Sequence, residues 1–224
     1  GSYIYHCNPA GTKILTSDYG FKNIEDILPG EKIIGFETGN NLEKNKLIET
    51  EVIANKSRIS DVQTVHLDNG ESFQCTPEHK WYTGRLDKTH SSYLPLVVGR
   101  KMMKICDLPE EISIEEKEAW SYLAGIIDGE GSVKYDGVFI SQSQEKNPIV
   151  YASIIDTLNF LKLEYTLSER KGYTKDGVTH SDTTIINICG GRRMKVRLLT
   201  YCKCAKRHEI IRMLKDHPGR FICE

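Results

Sequence analysis

The change of periodicity at Ser113 constrains this chain more than any other feature. Before it, from Thr12 to about Cys106, short apolar runs such as Lys13-Ile14-Leu15-Thr16, Lys32-Ile33-Ile34-Gly35-Phe36 and Val62-Gln63-Thr64-Val65-His66-Leu67 are broken by turn residues. Asp68-Asn69-Gly70 closes the last of these runs, and Ser72-Phe73-Gln74-Cys75-Thr76 resumes the alternation. Asn-Gly tolerates the positive φ angles of a tight hairpin turn, so a hairpin is predicted here. Helical periodicity is nearly absent in this part, which predicts an all-β region.

At Ser113 the pattern turns helical. Ser113-Ile114-Glu115-Glu116 has the S-x-x-E spacing of a capping box, in which the Ser and Glu side chains satisfy backbone N–H groups that the first turn leaves unpaired. A helix is predicted from Ile114 to Asp128. Strand-like stretches follow at 132–135 and 138–143, then a helical stretch at 148–162, strands at 164–170 and 183–189, and basic helices to close. The order αββαββα predicts an α+β unit. Acidic, proline-containing Asp107-Leu108-Pro109-Glu110-Glu111 reads as the boundary, giving expected domains at 3–106 and 113–217, with Gly1-Ser2 excluded as a tag scar. A length of 224 residues suits two small domains.

Net charge is −1, yet it is segregated: Phe160 to Glu224 holds 14 basic and 7 acidic residues, and the remainder 16 and 24. A basic segment joined to an acidic one is expected where only the second part meets a phosphate backbone, although a solvated basic face has the same composition. No segment reaches the ~18 apolar residues of a membrane helix, so no membrane partner is expected. Seven cysteines, odd in number and without a C-x-x-C, argue against a disulfide framework and for a reducing compartment, the cytoplasm of a microbial or phage-infected cell. Cys202, Cys204 and His208 offer a C-x-C and one His, short of the usual zinc ligand pairs, so ordinary thiols are preferred.

The predicted helix ends in Leu123-Ala124-Gly125-Ile126-Ile127-Asp128-Gly129-Glu130-Gly131. Small Ala124, Gly125 and Gly129 let two such helices approach closely, while acidic residues emerge at the end. This stretch resembles the signature of the LAGLIDADG homing endonucleases at nearly every position. The resemblance covers the second half of the chain and implies a metal-dependent, site-specific DNA endonuclease. It makes Glu130, at the eighth motif position, the metal ligand and catalytic carboxylate, with Asp128 as second choice and Mg²⁺ as the expected ion. Gln142 falls where the family places a polar residue beside the attacking water. Lys203 falls where it places a basic residue that stabilises phosphate charge, with Lys206 or Arg207 as alternates. A twisted sheet in the major groove of double-stranded DNA would make Lys134, Ser141, Arg170, Lys171 and Lys175 candidate contacts, a plain solvated position being the alternative for each. One motif per chain implies a homodimer packed through Ala124, Gly125 and Gly129, reading a nearly palindromic site.

Upstream, Cys7-Asn8-Pro9-Ala10-Gly11-Thr12-Lys13-Ile14-Leu15-Thr16, continuing to Ile24-Glu25-Asp26-Ile27-Leu28-Pro29-Gly30-Glu31, looks like the N-terminal splicing block of inteins. Gly70 through Thr76-Pro77-Glu78-His79 is similar to the second block, with its T-x-x-H. The resemblance implies the Hint β-fold. It also implies that Cys7 attacks the carbonyl of His6 to form a thioester while Thr76 and His79 polarise the scissile amide. Inteins end in a penultimate His and terminal Asn, whereas this sequence ends His217-Pro218-Gly219-Arg220-Phe221-Ile222-Cys223-Glu224. The expectation is therefore a separate C-terminal intein fragment, a truncated chain or a retained Hint remnant. Three functional readings follow: an endonuclease carried with a splicing half, a processing module whose nuclease unit is inactive, and DNA binding alone.

Overall fold

The computed structural model describes residues 7–36, 47–84, 91–104, 106–134, 137–175, 178–179, 181–216 and 222–223. The chain divides into two compact units, Gly1–Leu108 with Gly219–Glu224, and Pro109–Pro218.

The described part of the first unit consists of antiparallel strand pairs and one 3-10 turn at Ile24–Asp26, with no α-helix. β1 (Lys13–Leu15) pairs β2 (Phe21–Asn23), β3 (Lys32–Phe36) pairs β4 (Leu47–Glu51), β5 (Gln63–His66) pairs β6 (Ser72–Cys75), and β7 (Lys80–Gly84) pairs β8 (Ser91–Pro95). The expected hairpin at Asn69-Gly70 is the β5–β6 connection. Gly70 has φ +88° there, the Leu67 carbonyl accepts the Gly70 N–H, and Asn69 Oδ1 accepts the Glu71 N–H. A side chain at Gly70 would have to adopt the left-handed region, which explains the residue type. Leu15, Tyr19, Ile27, Ile34, Leu47, Cys75, Tyr82 and Met102 form a thin core. β9 (Met103–Lys104) is the last strand before the second unit.

In the second unit α1 spans Ile114–Glu130, two residues beyond the expected Asp128, and begins at the predicted capping box. Ser113 Oγ accepts the Glu116 N–H at 3.1 Å and Glu116 Oε2 accepts the Ser113 N–H at 3.0 Å. Such caps stabilise a helix by about 0.5–2 kcal/mol. β10 (Gly131–Lys134) and β11 (Gly137–Gln142) follow, then α2 (Pro148–Phe160). Proline at the first position of α2 has no N–H to leave unpaired. α2 stops short of the expected Lys162 because Lys162 takes the left-handed conformation, φ +53°. β12 (Tyr165–Arg170), a short ribbon of β13 (Thr174–Lys175) and β14 (Val178–Thr179), β15 (Thr183–Ile188), α3 (Gly191–Tyr201) and α4 (Arg207–Asp216) complete the unit.

The expected αββαββα order is thus extended by the β13–β14 ribbon and by a break in the closing helical segment. That break arises because Cys202 is extended, φ −86° and ψ 106°, and the turn after it takes hydrogen bonds elsewhere. β16 (Ile222–Cys223) pairs antiparallel with β9, so the chain returns to its first unit after completing the second.

The sheet of the second unit is antiparallel in the order β10-β11-β15-β12. Residues paired across strands share a face. One face carries the buried Val138, Ile140, Ile186 and Ile188, and Trp120, Leu123 and Ile127 of α1, Ile154 and Leu158 of α2, and Leu198 and Leu199 of α3 are fully buried with them. Each such side chain contributes ~1.5–3 kcal/mol by leaving water. The opposite face carries Ser132, Lys134, Phe139, Ser141, Thr166, Ser168, Arg170, Thr183, Ile185 and Asn187, without a carboxylate among its described strand residues.

Candidate functional site

Two constellations stand out, one in each unit. In the second unit it is built where α1 runs directly into β10. The helix C-cap, Gly131, is extended, and a Cβ on it would lie 2.5 Å from the Ile127 carbonyl oxygen, so only glycine permits this immediate turn from helix to strand. A helix C-terminus carries partial negative charge and disfavours the acids Asp128 and Glu130. The turn between α3 and α4 compensates. Lys206 Nζ donates to the carbonyls of Ile127 at 3.1 Å and Gly131 at 2.5 Å, capping α1 with a cation. In return the Asp128 carboxylate accepts the backbone N–H groups of Ala205 at 2.9 Å and Lys206 at 3.2 Å, just ahead of α4. The two elements hold each other through opposite charges at opposite helix ends.

This lock sorts the predicted residues. Asp128 is an anchor, and Lys206 is a cap. Arg207 Nη1 donates to the Leu199 carbonyl near the end of α3. Glu130 and Lys203 are exposed, and among the described residues neither side chain makes a hydrogen bond or ion pair. Gln142 lies two residues beyond Ile140, the strand partner of Gly131, so the register brings it near Glu130 along the sheet. It is 7% exposed, and its Oε1 accepts from Ser143 N and Asn147 Nδ2, both at 3.0 Å, which ties it to the start of α2. Beneath the turn, Cys202 is pushed well above the usual thiol range by its hydrogen bond to Cys204 and by burial. Among the described residues no three His, Cys, Asp or Glu side chains are grouped to hold a metal, and His208 Nδ1 faces the Ala205 carbonyl.

Of the residues expected at a dimer interface, Gly125 and Gly129 are exposed on α1, where a Cβ would meet nothing within 4 Å, whereas Ala124 is buried at 8% exposure. Of the candidate DNA contacts, Lys134, Ser141 and Arg170 share the open sheet face. Arg170 lies 5.3 Å over the Tyr173 ring. Lys171 is paired instead with Asp182 at 3.0 Å and Glu169 at 3.8 Å, and Asp182, then Glu169, pushes its ammonium pKa up. Lys175 belongs to β13, and its side chain lies outside the described residues.

In the first unit, Cys7, Thr76 and His79 come together although 69 positions separate the first two. The Cys7 N–H donates to Thr76 Oγ1 at 3.5 Å, the Thr76 N–H donates to the Cys7 carbonyl at 3.2 Å, and His79 Nδ1 lies 3.3 Å from that carbonyl. Thr76 is 1% exposed, and the His79 ring rests against Trp81 with centroids 4.5 Å apart. Two residues that sequence reasoning missed complete the group. Arg58 Nη2 pairs with Glu78 Oε1 at 2.7 Å, and the nearby Cys7 side chain, then Glu78, pushes its guanidinium pKa up. Glu78, the unassigned third position of Thr76-Pro77-Glu78-His79, is held below the usual carboxylate range by its own backbone N–H first, then by Thr76 and Arg58. His6, the residue whose carbonyl Cys7 was expected to attack, lies outside the described residues.

Residues 107–213 match the homing endonuclease family, a span lying almost wholly within the second unit. No curated protein matches the chain. Among the described residues no helix is long and apolar enough to cross a membrane.

Proposed function

From the homing endonuclease match as premise, we propose that the second unit is a LAGLIDADG-type, metal-dependent, site-specific DNA endonuclease acting as a homodimer. The observation that carries this reading is the sorting at the end of α1: Asp128 and Lys206 are occupied by the lock, and among the described residues Glu130 is left without a protein partner, beside a sheet face whose described strand residues include no acid. An unpartnered carboxylate fits a hard divalent cation such as Mg²⁺, whose other oxygen ligands are waters and phosphate. Glu130 would hold the ion, which when bound activates water and neutralises phosphate charge. Lys203 is the cation available to a phosphate, and Gln142 orders the β11–α2 turn. The open face with Lys134, Ser141 and Arg170 supplies phosphate and base-edge contacts. Gly125 and Gly129 offer a bare helix face on which a second copy packs, and that pairing places one Glu130 per strand of the duplex.

A second activity is favoured by the convergence of Cys7, Thr76 and His79. We propose that the first unit is an intein-like Hint domain in which Cys7 undergoes an N–S acyl shift. The return of the chain to its first unit through β16 supports this reading, because an endonuclease inserted into a splicing domain requires such a return. A separate C-terminal fragment remains part of the proposal.

Incubation of the full chain with Mg²⁺ and a randomised double-stranded DNA library tests both. Site-specific breaks support the nuclease. Thiol-driven cleavage before Cys7 without DNA cutting supports the processing module, and DNA binding with neither reaction overturns both catalytic readings.

A further inference from the structure

The centre of the open sheet face in the second unit holds residues that a solvated sheet surface does not favour. Phe139 of β11 stands directly opposite Asn187 of β15, and Ile185 lies two residues from Asn187 on the same strand, diagonal to Phe139. β11 and β15 are the two middle strands of the sheet, and all three side chains are half-buried. Gly137 leaves a notch beside them: a Cβ there would lie 2.6 Å from Asn187 Oδ1 and 2.9 Å from Phe139 Cε2 and Cζ, so both neighbours lean into its space. Asn187 Oδ1 is buried in that notch without a donor, whereas the nitrogen of the same amide is the end left open. Asparagine is a poor strand former, and an amide oxygen buried unpaired opposes folding, so the fold does not account for this residue. Charge lies at the rim. Lys134 and Arg170 stand on the edge strands β10 and β12, at opposite ends of the face. Cations at the rim and a neutral centre match the division between phosphate contacts, which position a protein on DNA, and base-edge contacts, which specify sequence.

We infer that Asn187, Phe139 and Ile185 form a site that reads a thymine in the major groove. The inference rests on the endonuclease reading of the second unit and names one base of its target. With its oxygen turned into the Gly137 notch, Asn187 offers a donor and no acceptor. Apolar surface flanks it across the strand pair and along its own strand. Thymine alone among the four bases presents an acceptor, O4, together with a C5 methyl group in the major groove. Cytosine offers an N4 amino donor there and has no methyl. Guanine has the acceptors O6 and N7 but nothing apolar for Phe139 and Ile185 to cover. Adenine shows an acceptor and a donor, which suits an asparagine that turns both ends of its amide to the base; here one end is withdrawn.

The test alters the DNA first. The full chain, without divalent cation so that nothing is cut, selects bound duplexes from a randomised library. Each thymine of the selected site is then replaced in turn by uracil, which removes only the methyl, or by 5-methylcytosine paired with guanine, which keeps the methyl and exchanges the O4 acceptor for a donor. At one thymine, uracil should weaken binding about three- to fivefold in fluorescence anisotropy, the worth of one buried methyl group. 5-Methylcytosine at the same position should weaken it by about tenfold or more. In Asn187→Ala the uracil penalty at that thymine should persist while the 5-methylcytosine penalty falls to about twofold or less, and in Ile185→Ala the uracil penalty should shrink while the other persists. Each penalty is a ratio measured within one protein, so a general loss of stability in a variant does not imitate either result. Specific binding in which no thymine answers to both replacements, or in which both penalties survive in both variants, overturns the inference and leaves the endonuclease reading standing. Binding without any sequence preference overturns that reading as well.

Discussion

The two units place their proposed reacting groups by opposite means. In the second, Glu130 is fixed by regular elements: it ends a helix whose capping box, buried stripe and Lys206 cap determine where the last turn stops. Eleven of the twelve largest fully buried side chains belong to that unit, Tyr19 being the exception, so packing supports the backbone that those caps define. In the first unit Cys7, Arg58, Thr76, Glu78 and His79 all lie outside strands, over a thinner core. There the reactive groups hold one another. A deep core permits a carboxylate without partners, ready for a ligand that protein does not supply, whereas a site on turns stays organised only while its own hydrogen bonds hold.

The widest separation between the two comes from removing each reacting atom. Glu130→Gln should abolish DNA cleavage, a loss of at least ~10²-fold, because it deletes the charge that binds the ion but no phosphate contact. Plasmid nicking in Mg²⁺ measures the loss, and unaltered gel-shift affinity checks the fold. Thiol-driven cleavage before Cys7 should be untouched. Cys7→Ala should give the mirror image. Persistent cutting by Glu130→Gln would remove Glu130 from the mechanism and shift attention to Asp128.

Next in size is His79→Ala, expected to slow thiol-driven cleavage by ~10²–10⁴-fold, the usual contribution of a positioned acid or base. The readout is the rate of N-terminal peptide release by mass spectrometry. A rate within twofold of wild type, about the error of such an assay, would assign the ring to Trp81 packing rather than to chemistry.

Where the sequence revealed these sites, it did so through local rules. Ser113 and Glu116 are three residues apart and make their hydrogen bonds to each other, and Asn69-Gly70 makes its turn unaided, so neighbours sufficed to read both. The same holds for the helix end, where Glu130 follows from the spacing of Leu123 to Gly131. Lys206 was legible only as a cation, because its role requires the α3–α4 turn to reach α1, 79 positions earlier. Arg58 left no signal, since it lies in an exposed stretch without periodicity and meets Glu78 across 20 positions of sequence. Gln142 was read as a polar residue beside the attacking water; that its oxygen accepts from Ser143 and Asn147 was not legible, because it depends on the turn from β11 into α2.

A contrast within the α1 motif sharpens the claim that packing fixes the second site. Gly131→Ala should destabilise the second unit by about 1–3 kcal/mol, since the new Cβ meets helix backbone that cannot yield. Gly125→Ala should leave the isolated chain unchanged or up to ~1 kcal/mol more stable, as its Cβ meets open space and alanine favours helix. Urea denaturation measures both. If Gly125→Ala also weakens self-association on DNA in sedimentation experiments, the bare face is where the second copy packs. A Gly131→Ala protein as stable as wild type would mean that helix and strand can separate without cost, contrary to the lock described.

The smallest effect concerns the sheet face. Arg170 is a cation on a face without an acid among its described strand residues, whereas Lys171, one residue on, is paired with Asp182 and Glu169. A basic residue that contacts phosphate releases counterions on binding, so its loss should reduce the slope of log affinity against log salt by about one. A lysine already neutralised by two carboxylates releases little and should leave the slope nearly constant. Arg170→Ala is therefore expected to give a shallower slope and Lys171→Ala an unchanged one, in fluorescence-anisotropy titrations on the cleaved site. Equal slopes for the two variants would mean that the ion pairs of Lys171 open on DNA. A shallower slope for Lys171→Ala alone would move the contact surface from the open face to the far ends of β12 and β15. The comparison does not depend on absolute affinity, so it remains readable even if both substitutions weaken binding by less than twofold, on the order of the 0.4 kcal/mol that a surface charge typically carries.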